Sequence, residues 1–249
     1  MDFSRNHKAL SSILIIVIVS AVLVVALGAT AAYLWFWPGN LKTEEMVFSD
    51  FTAVEVSWAF EVKVTQSSSY SVVISADEKI FNNIEVTQNG FTLVIGLEPG
   101  TIDSSGLFRK VEITMPNLNK LILSGAARGT VEGFGSSTRL ILGLSGASSL
   151  EMTDINVGDV EIGVSGASTL IARGTADNLF ASVYGKSNVY LSNFLVTNAD
   201  VSVNGASGVT INLEGILNYA VTGASTLEYI GNPSMGSTYA SSLSTVKQK

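Results

Sequence analysis

Ser145-Gly146-Ala147-Ser148 returns as Ser165-Gly166-Ala167-Ser168, and this repetition decides the fold. Related corners stand at Ser124-Gly125-Ala126, Tyr184-Gly185-Lys186-Ser187, Asn204-Gly205-Ala206-Ser207 and Thr222-Gly223-Ala224-Ser225. Their glycines are 21, 20, 19, 20 and 18 residues apart. A period of this size marks a stacked repeat, in which a unit buries its apolar edge only against its neighbours.

Counted from each glycine as zero, positions −6, −4 and −2 are apolar, as in Leu140, Leu142 and Leu144 or Val160, Ile162 and Val164. Beyond the corner, positions +4 and +6 are apolar too, as in Leu150 and Met152. A two-residue period is a strand with one apolar face. Each repeat therefore reads as strand, bend, strand. Glycine tolerates φ > 0 at the bend, and the alanine at +1 is small enough to point into it. The serines at +2 and the polar residues at −1 read as outward. Stacked in register they make a hydroxyl ladder, which either supports the turn through local hydrogen bonds or forms a polar binding stripe. The expected fold class is all-β: a right-handed parallel β-helix-like stack of ~20-residue coils, about 4.8 Å apart. Residues 119–231 hold these repeats.

Residues 46–118 alternate in shorter runs, with a hairpin signal at Asn89-Gly90. They form an N-terminal β cap region, as a small sandwich or as irregular first coils. Residues 232–249 read as a C-terminal cap or tail. At the other end, residues 1–9 carry Arg5 and Lys8, and residues 10–37 carry no charge. That run predicts one transmembrane α-helix, since crossing takes about 20 apolar residues. Tyr33-Leu34-Trp35-Phe36-Trp37 suits an aromatic belt, and 38–45 a linker. The expectation is an uncleaved signal anchor, single-pass in the cell membrane, with a cytoplasmic N-terminus and an extracytoplasmic β domain. A cleaved secretory signal and a pilin-like leader processed at Lys8-Ala9-Leu10-Ser11 are the alternatives.

Composition removes several chemistries. The net charge is −7, which disfavours nucleic acid and anionic lipid surfaces. There is no Cys, hence no disulfide or thiolate chemistry, and the single His7 lies in the N-terminal tail. A His-based triad, base or metal site in the β region is thereby excluded. Asp154, Asp159, Asp177 and Asp200 fall in turns or at differing phases, which reads as Asx turns rather than an acidic cluster. Lys186 replaces the inward alanine of its corner, which suggests a bulge; a dyad with Ser187 or Ser182 has no further support. Phe180, Tyr184 and Tyr190 are outward on one coil beside Lys186. Together these four are the candidate ligand-binding residues: the aromatics either form a stacking patch for carbohydrate or pack under a loop. No cofactor, metal or catalytic residue is expected.

A further pattern opens at Phe48-Ser49-Asp50-Phe51-Thr52-Ala53-Val54-Glu55-Val56 and continues with Val73-Ile74-Ser75-Ala76-Asp77-Glu78 and Ile113-Thr114-Met115-Pro116-Asn117-Leu118. The Ser-Gly-Ala-Ser corners follow, and Leu227-Glu228-Tyr229-Ile230-Gly231-Asn232-Pro233 closes it. In this order the segments resemble the putative auto-transporter adhesin, head GIN domain family. The resemblance spans about residues 46–246 and implies an exported β-helical domain with no catalytic residues to carry over. The combined reading is a non-catalytic, adhesin-like or structural surface module, whose partner is a surface polysaccharide or another surface protein. A carbohydrate-active β-helix enzyme and a self-assembling surface scaffold are the alternatives.

Overall fold

Each corner joins two strands, and a computed structural model, which describes residues 40–102, 106–136 and 138–249, shows where each finds its partners. Strands before the corner build one side of a solenoid, here face A. They are β6 (Thr92–Leu97), β2 (Ala53–Val56), β8 (Lys120–Leu123) and β11 (Leu140–Leu144), joined in parallel register with the second half of β12 (Ser149–Val164). The second halves of β13 (Thr169–Val183) and β14 (Asn188–Val203) continue the face, followed by β16 (Ile216–Val221) and β18 (Ser234–Ala240). Strands after the corner build face B. They are β7 (Arg109–Met115), β3 (Glu61–Gln66), β9 (Arg128–Glu132), the first parts of β12 to β14, then β15 (Gly208–Leu213), β17 (Thr226–Ile230) and β19 (Thr245–Gln248). Short middle stretches of β12 to β14, with β10 (Gly135–Ser136), pair as a third side.

The interior is columns of identical phase. Val54, Leu121, Leu142, Ile162, Ala181 and Val201 stand in one column on face A, each the register partner of the next and each buried. Val62, Gly129, Leu150, Leu170, Val189 and Val209 make the matching column on face B. Gly129 breaks that column because its space is filled from both sides: a Cβ there would lie 2.7 Å from Leu123 Cδ1 and 2.9 Å from Leu150 Cδ1.

The corners are the tightest part. Gly125, Gly146, Gly166, Gly185, Gly205 and Gly223 all have φ between 70° and 92°. Their carbonyls accept from the residue after the glycine one coil on: Ala147 N–H to Gly125 at 2.7 Å, Ala167 to Gly146 at 2.7 Å, and Lys186 to Gly166 at 2.8 Å. A Cβ on Gly146, Gly166 or Gly205 would collide with the carbonyl oxygen of the glycine one coil earlier. Left-handed backbone and absent space thus select glycine together.

Two expectations about the corner are corrected. The +1 alanines Ala147 and Ala167 point outward and are exposed, as is Lys186, so no bulge is needed to release the lysine. The +2 serines point inward instead: Ser148, Ser168, Ser187, Ser207 and Ser225 are buried. They do form the ladder that supports the turn. Ser168 N–H donates to Ser187 Oγ at 3.3 Å and Ser187 N–H to Ser207 Oγ at 3.3 Å, while Ser148 Oγ donates to the Ser145 carbonyl at 2.8 Å. A hydroxyl fits this buried place because it satisfies backbone groups that the bend leaves open.

At the N-terminal end, chain order and stacking order differ. Strands β2 and β3 lie between β6 and β7 on one side and β8 and β9 on the other. Residues 53–66 therefore make the second coil, and residues 92–115 the first. Between them in the chain, β4 (Ser71–Asp77) adds antiparallel to β7 and β5 (Ile84–Asn89) antiparallel to β6, while β1 (Leu41–Met46), which precedes both coils, adds antiparallel to β4. The β5–β6 turn is the Asn89-Gly90 hairpin, with Gly90 at φ 60°.

The expected fold class is corrected in one part. Among the described residues no helix is long and apolar enough to cross a membrane. The helix that is present, α1 (Glu78–Phe81), has four residues. That is roughly 6 Å of rise, against about 20 residues for a span. Residues 10–37, on which the expected transmembrane α-helix rested, lie outside the described residues. The fold class is all-β and solenoid-like.

Two outcomes follow from the corner and from the last coil. Gly166→Ala is expected to destabilise by at least about 3 kcal/mol, adding left-handed strain to a steric clash. Gly90→Ala, at φ 60° with nothing within 4 Å of the added Cβ, is expected to lose only about 1–2 kcal/mol. Chemical denaturation of both variants distinguishes the two. On the last coil, Lys247 Nζ lies 2.9 Å and Lys249 Nζ 3.5 Å from Glu228. The hydrogen bond from Lys247 holds the Glu228 carboxyl below the usual glutamate range, partial desolvation opposing it and the Lys247 and Lys249 charges adding to it. A depressed carboxylate stabilises above its unfolded pKa and loses that contribution as pH falls through the folded one. Amide protection of residues 246–248 should therefore drop relative to residues 189–191 below about pH 4, read by hydrogen exchange.

Candidate functional site

The outward residues of face A make the surface relief. Three positions before each glycine the column runs Ile122, Gly143, Gly163, Ser182, Ser202 and Ala220. Ile122 leans over Gly143, where a Cβ would collide with its Cδ1. At Gly163 an added Cβ would meet only Leu142 O, at 3.9 Å, so the surface opens there. From Gly163 to Ala220 the small residues form the floor of a trough parallel to the solenoid axis. Three coil steps of roughly 4.8 Å give it about 14 Å of length.

Larger residues wall the trough on both sides. One wall is the column Glu161, Phe180, Asp200 and Asn218, five positions before the glycines. The other is Ser165, Tyr184, Asn204 and Thr222, directly before them. Two adjoining depressions fall within it. One, of about 460 Å³, is lined by Arg139, Glu161, Phe180, Ser182, Asp200 and Ser202 among others. The second, of about 320 Å³, includes Ser165, Ser182 and Tyr184. Gly163 and Ser182 line both, so the depressions are continuous.

Phe180 and Tyr184 are therefore brought together, 42% and 47% exposed, along one trough. Tyr190 is not. It is 45% exposed but lies on face B, where its register partners are Ile171 and Thr210. Lys186 stands on the crest between the faces, and Ser187 beside it is buried with its Oγ accepting from Ser168 N–H. The two side chains thus face different environments. Asp154 sits at a bend with φ 56°, while Asp159 accepts from Asn178 at 2.8 Å, and Asn198 donates to Asn178 at 3.0 Å. Among the described residues no group of three or more His, Cys, Asp or Glu could hold a metal ion.

Sequence reasoning missed three things here. The trough floor is one: position −3 is small in every coil from Gly143 on, a signal visible in the repeats. Arg139 is another. Its guanidinium lies 5.4 Å from the Phe180 ring centroid, 3.2 Å from Glu161 and 3.6 Å from Asp159. The third is an open groove of about 710 Å³ on face B, lined by Phe60, Phe108, Arg109, Arg128, Ser149 and Glu151 among others. The buried Arg109 packs over Phe60 there, 5.8 Å to the ring centroid. Glu61 and Glu151 balance Arg109 and Arg128 along this groove, so it carries no net charge.

Residues 50–233 match the family described as putative auto-transporter adhesin, head GIN domain. The chain belongs to this family. Among solved structures it is similar to a putative adhesin from Bacteroides fragilis, at 20% identity and TM-score 0.76, over 85% of this chain and 99% of that one. A putative adhesin from Parabacteroides distasonis is similar at 16% identity and TM-score 0.66, over 85% and 98%. A putative lipid binding protein from the same species is similar at 14% identity and TM-score 0.64, over 85% and 97%. At these identities the likeness is one of fold. The curated proteins contain no match.

The contrast between crest and interior is open to measurement. Lys186→Ala should change stability by less than about 0.5 kcal/mol, as an exposed substitution. Ser187→Ala removes the acceptor of a buried N–H and should cost about 1–3 kcal/mol. Urea unfolding of the two variants gives both numbers.

Proposed function

We propose that this protein is a non-catalytic, adhesin-type surface module that holds a linear surface polysaccharide in the face A trough. The observation that carries the reading is the pairing of Phe180 and Tyr184 along a floor of small residues. Sugar rings present an apolar C–H face that stacks on aromatic rings, and their hydroxyls hydrogen-bond the polar groups around them. Ser182 and Ser202 on the floor, with Asn204 and Asp200 on the walls, supply those polar groups. The trough runs along the axis, as an extended polymer requires. Membership of an adhesin family supports a surface location and a binding rather than catalytic role.

A glycan array probed with the full chain tests this. Polymer binding lost in Phe180→Ala/Tyr184→Ala but kept in Tyr190→Ala is the expected result. Binding lost only in Tyr190→Ala, or no binding to any polymer, sinks the reading.

One observation favours a second reading, end-to-end association as a scaffold. All seven residues of β18 are exposed, and Ser234–Ala240 carries no charge to discourage edge pairing. Sedimentation of the purified protein over a range of concentrations would reveal the assembly.

A further inference from the structure

The trough wall around Phe180 specifies its ligand more closely. Resting on the trough reading above, we infer that the bound polymer carries free primary amines, and that Phe180 and Asp200 together seat one of them. In the wall column Phe180 stands between Glu161 on one neighbouring coil and Asp200 on the other. On the Glu161 side the chain fills the place itself. Arg139 lies over the Phe180 ring at 5.4 Å and pairs with Glu161 at 3.2 Å and Asp159 at 3.6 Å. A ring face and a carboxylate one coil apart thus already hold one cation.

The Asp200 side repeats the arrangement without a cation from this chain. Asp200 is exposed, makes no ion pair among the described residues, and lines the same 460 Å³ depression as Phe180, Ser182 and Ser202. Asp159, Glu161 and Asp200 outnumber Arg139, so the local field is negative. An ammonium gains there from the ring quadrupole and the carboxylate together, whereas a neutral acetamide gains from neither. The chemistry selected is a 2-amino sugar with its nitrogen unacylated. Ser182 and Ser202 remain for the ring hydroxyls.

The test compares a glucosamine hexamer with the N-acetylglucosamine hexamer of the same linkage, both titrated into the full chain at low and high salt. The amine form is expected to bind about five- to tenfold tighter at low salt, the sum of an exposed cation–π contact and an exposed ion pair. That advantage should shrink at high salt through screening. Asp200→Asn should cut the amine advantage to the about two- to threefold that the cation–π contact alone supplies, and leave the affinity of the acetylated form unchanged. Phe180→Ala should weaken both. Equal affinities in the unaltered protein, or an amine preference undiminished in Asp200→Asn, overturn the amine inference while leaving the trough intact. If neither hexamer binds, the amine inference falls, while the trough reading stands or falls with the glycan array.

Discussion

The carbonyl of each corner glycine from Gly125 to Gly205 accepts an N–H from the next coil, and the rest of the molecule depends on that contact. The bond at Gly125 is 2.7 Å long, and the same bond recurs at Gly146, Gly166, Gly185 and Gly205. It holds successive corners at hydrogen-bonding separation, which brings the interior columns into register. It also leaves no room for a side chain, since the space a Cβ would take is the space the carbonyl occupies. The glycine period is therefore strict at the corner and loose elsewhere. The register shifts fall away from the glycines: between Met152 and Ile155, between Ile171 and Arg173, between Tyr190 and Leu195, and between Leu217 and Tyr219. Coils of 18 to 21 residues can stack on one another because the surplus is absorbed at the other bends.

Trp58 shows the same constraint from its boundary. It takes the corner position of the second coil with φ 67°, and Gly125 stacks on it so closely that a Cβ would be 2.9 Å from Trp58 N. Its neighbour on the far side is the first coil, in which β6 ends at Leu97 and β7 begins at Arg109. A bulky residue in left-handed backbone costs about 1–2 kcal/mol, which the end of the glycine column can bear and its middle cannot. Beyond it, β4, β5 and β1 turn antiparallel, which replaces open parallel edges by hairpin pairing.

The trough is a by-product of the same stacking. Parallel in-register coils place every residue of one phase in one column, so any phase that is small in successive coils becomes a groove and any phase that is large becomes a wall. Gly163, Ser182, Ser202 and Ala220 sit one phase away from Phe180 and Asp200, and one phase away from Tyr184. A single coil could not form such a surface. Its polarity comes from several coils at once, as does the cation site that Arg139 fills on Phe180 from two coils away.

Much of this was legible in the sequence. The glycine period, the inward columns, the Asn89-Gly90 hairpin and the outward phase of Phe180, Tyr184 and Tyr190 all follow from counting, because a strand alternates its side chains whatever surrounds it. Three matters did not follow from counting. Which side of the bend +1 and +2 face depends on the φ of the glycine between them, so Lys186 and the +2 serines exchanged their expected places. Tyr190 shares an outward phase with Phe180, but outward changes direction as the chain turns the corner, which parts the two. The position of residues 53–66 as second coil rather than first is set by pairings across more than 30 residues, Val54 with Leu93 and with Leu121, and no local pattern encodes which of two equally apolar strands a third will join. Local alternation settles what each residue can face; only the stacked coils settle what it meets.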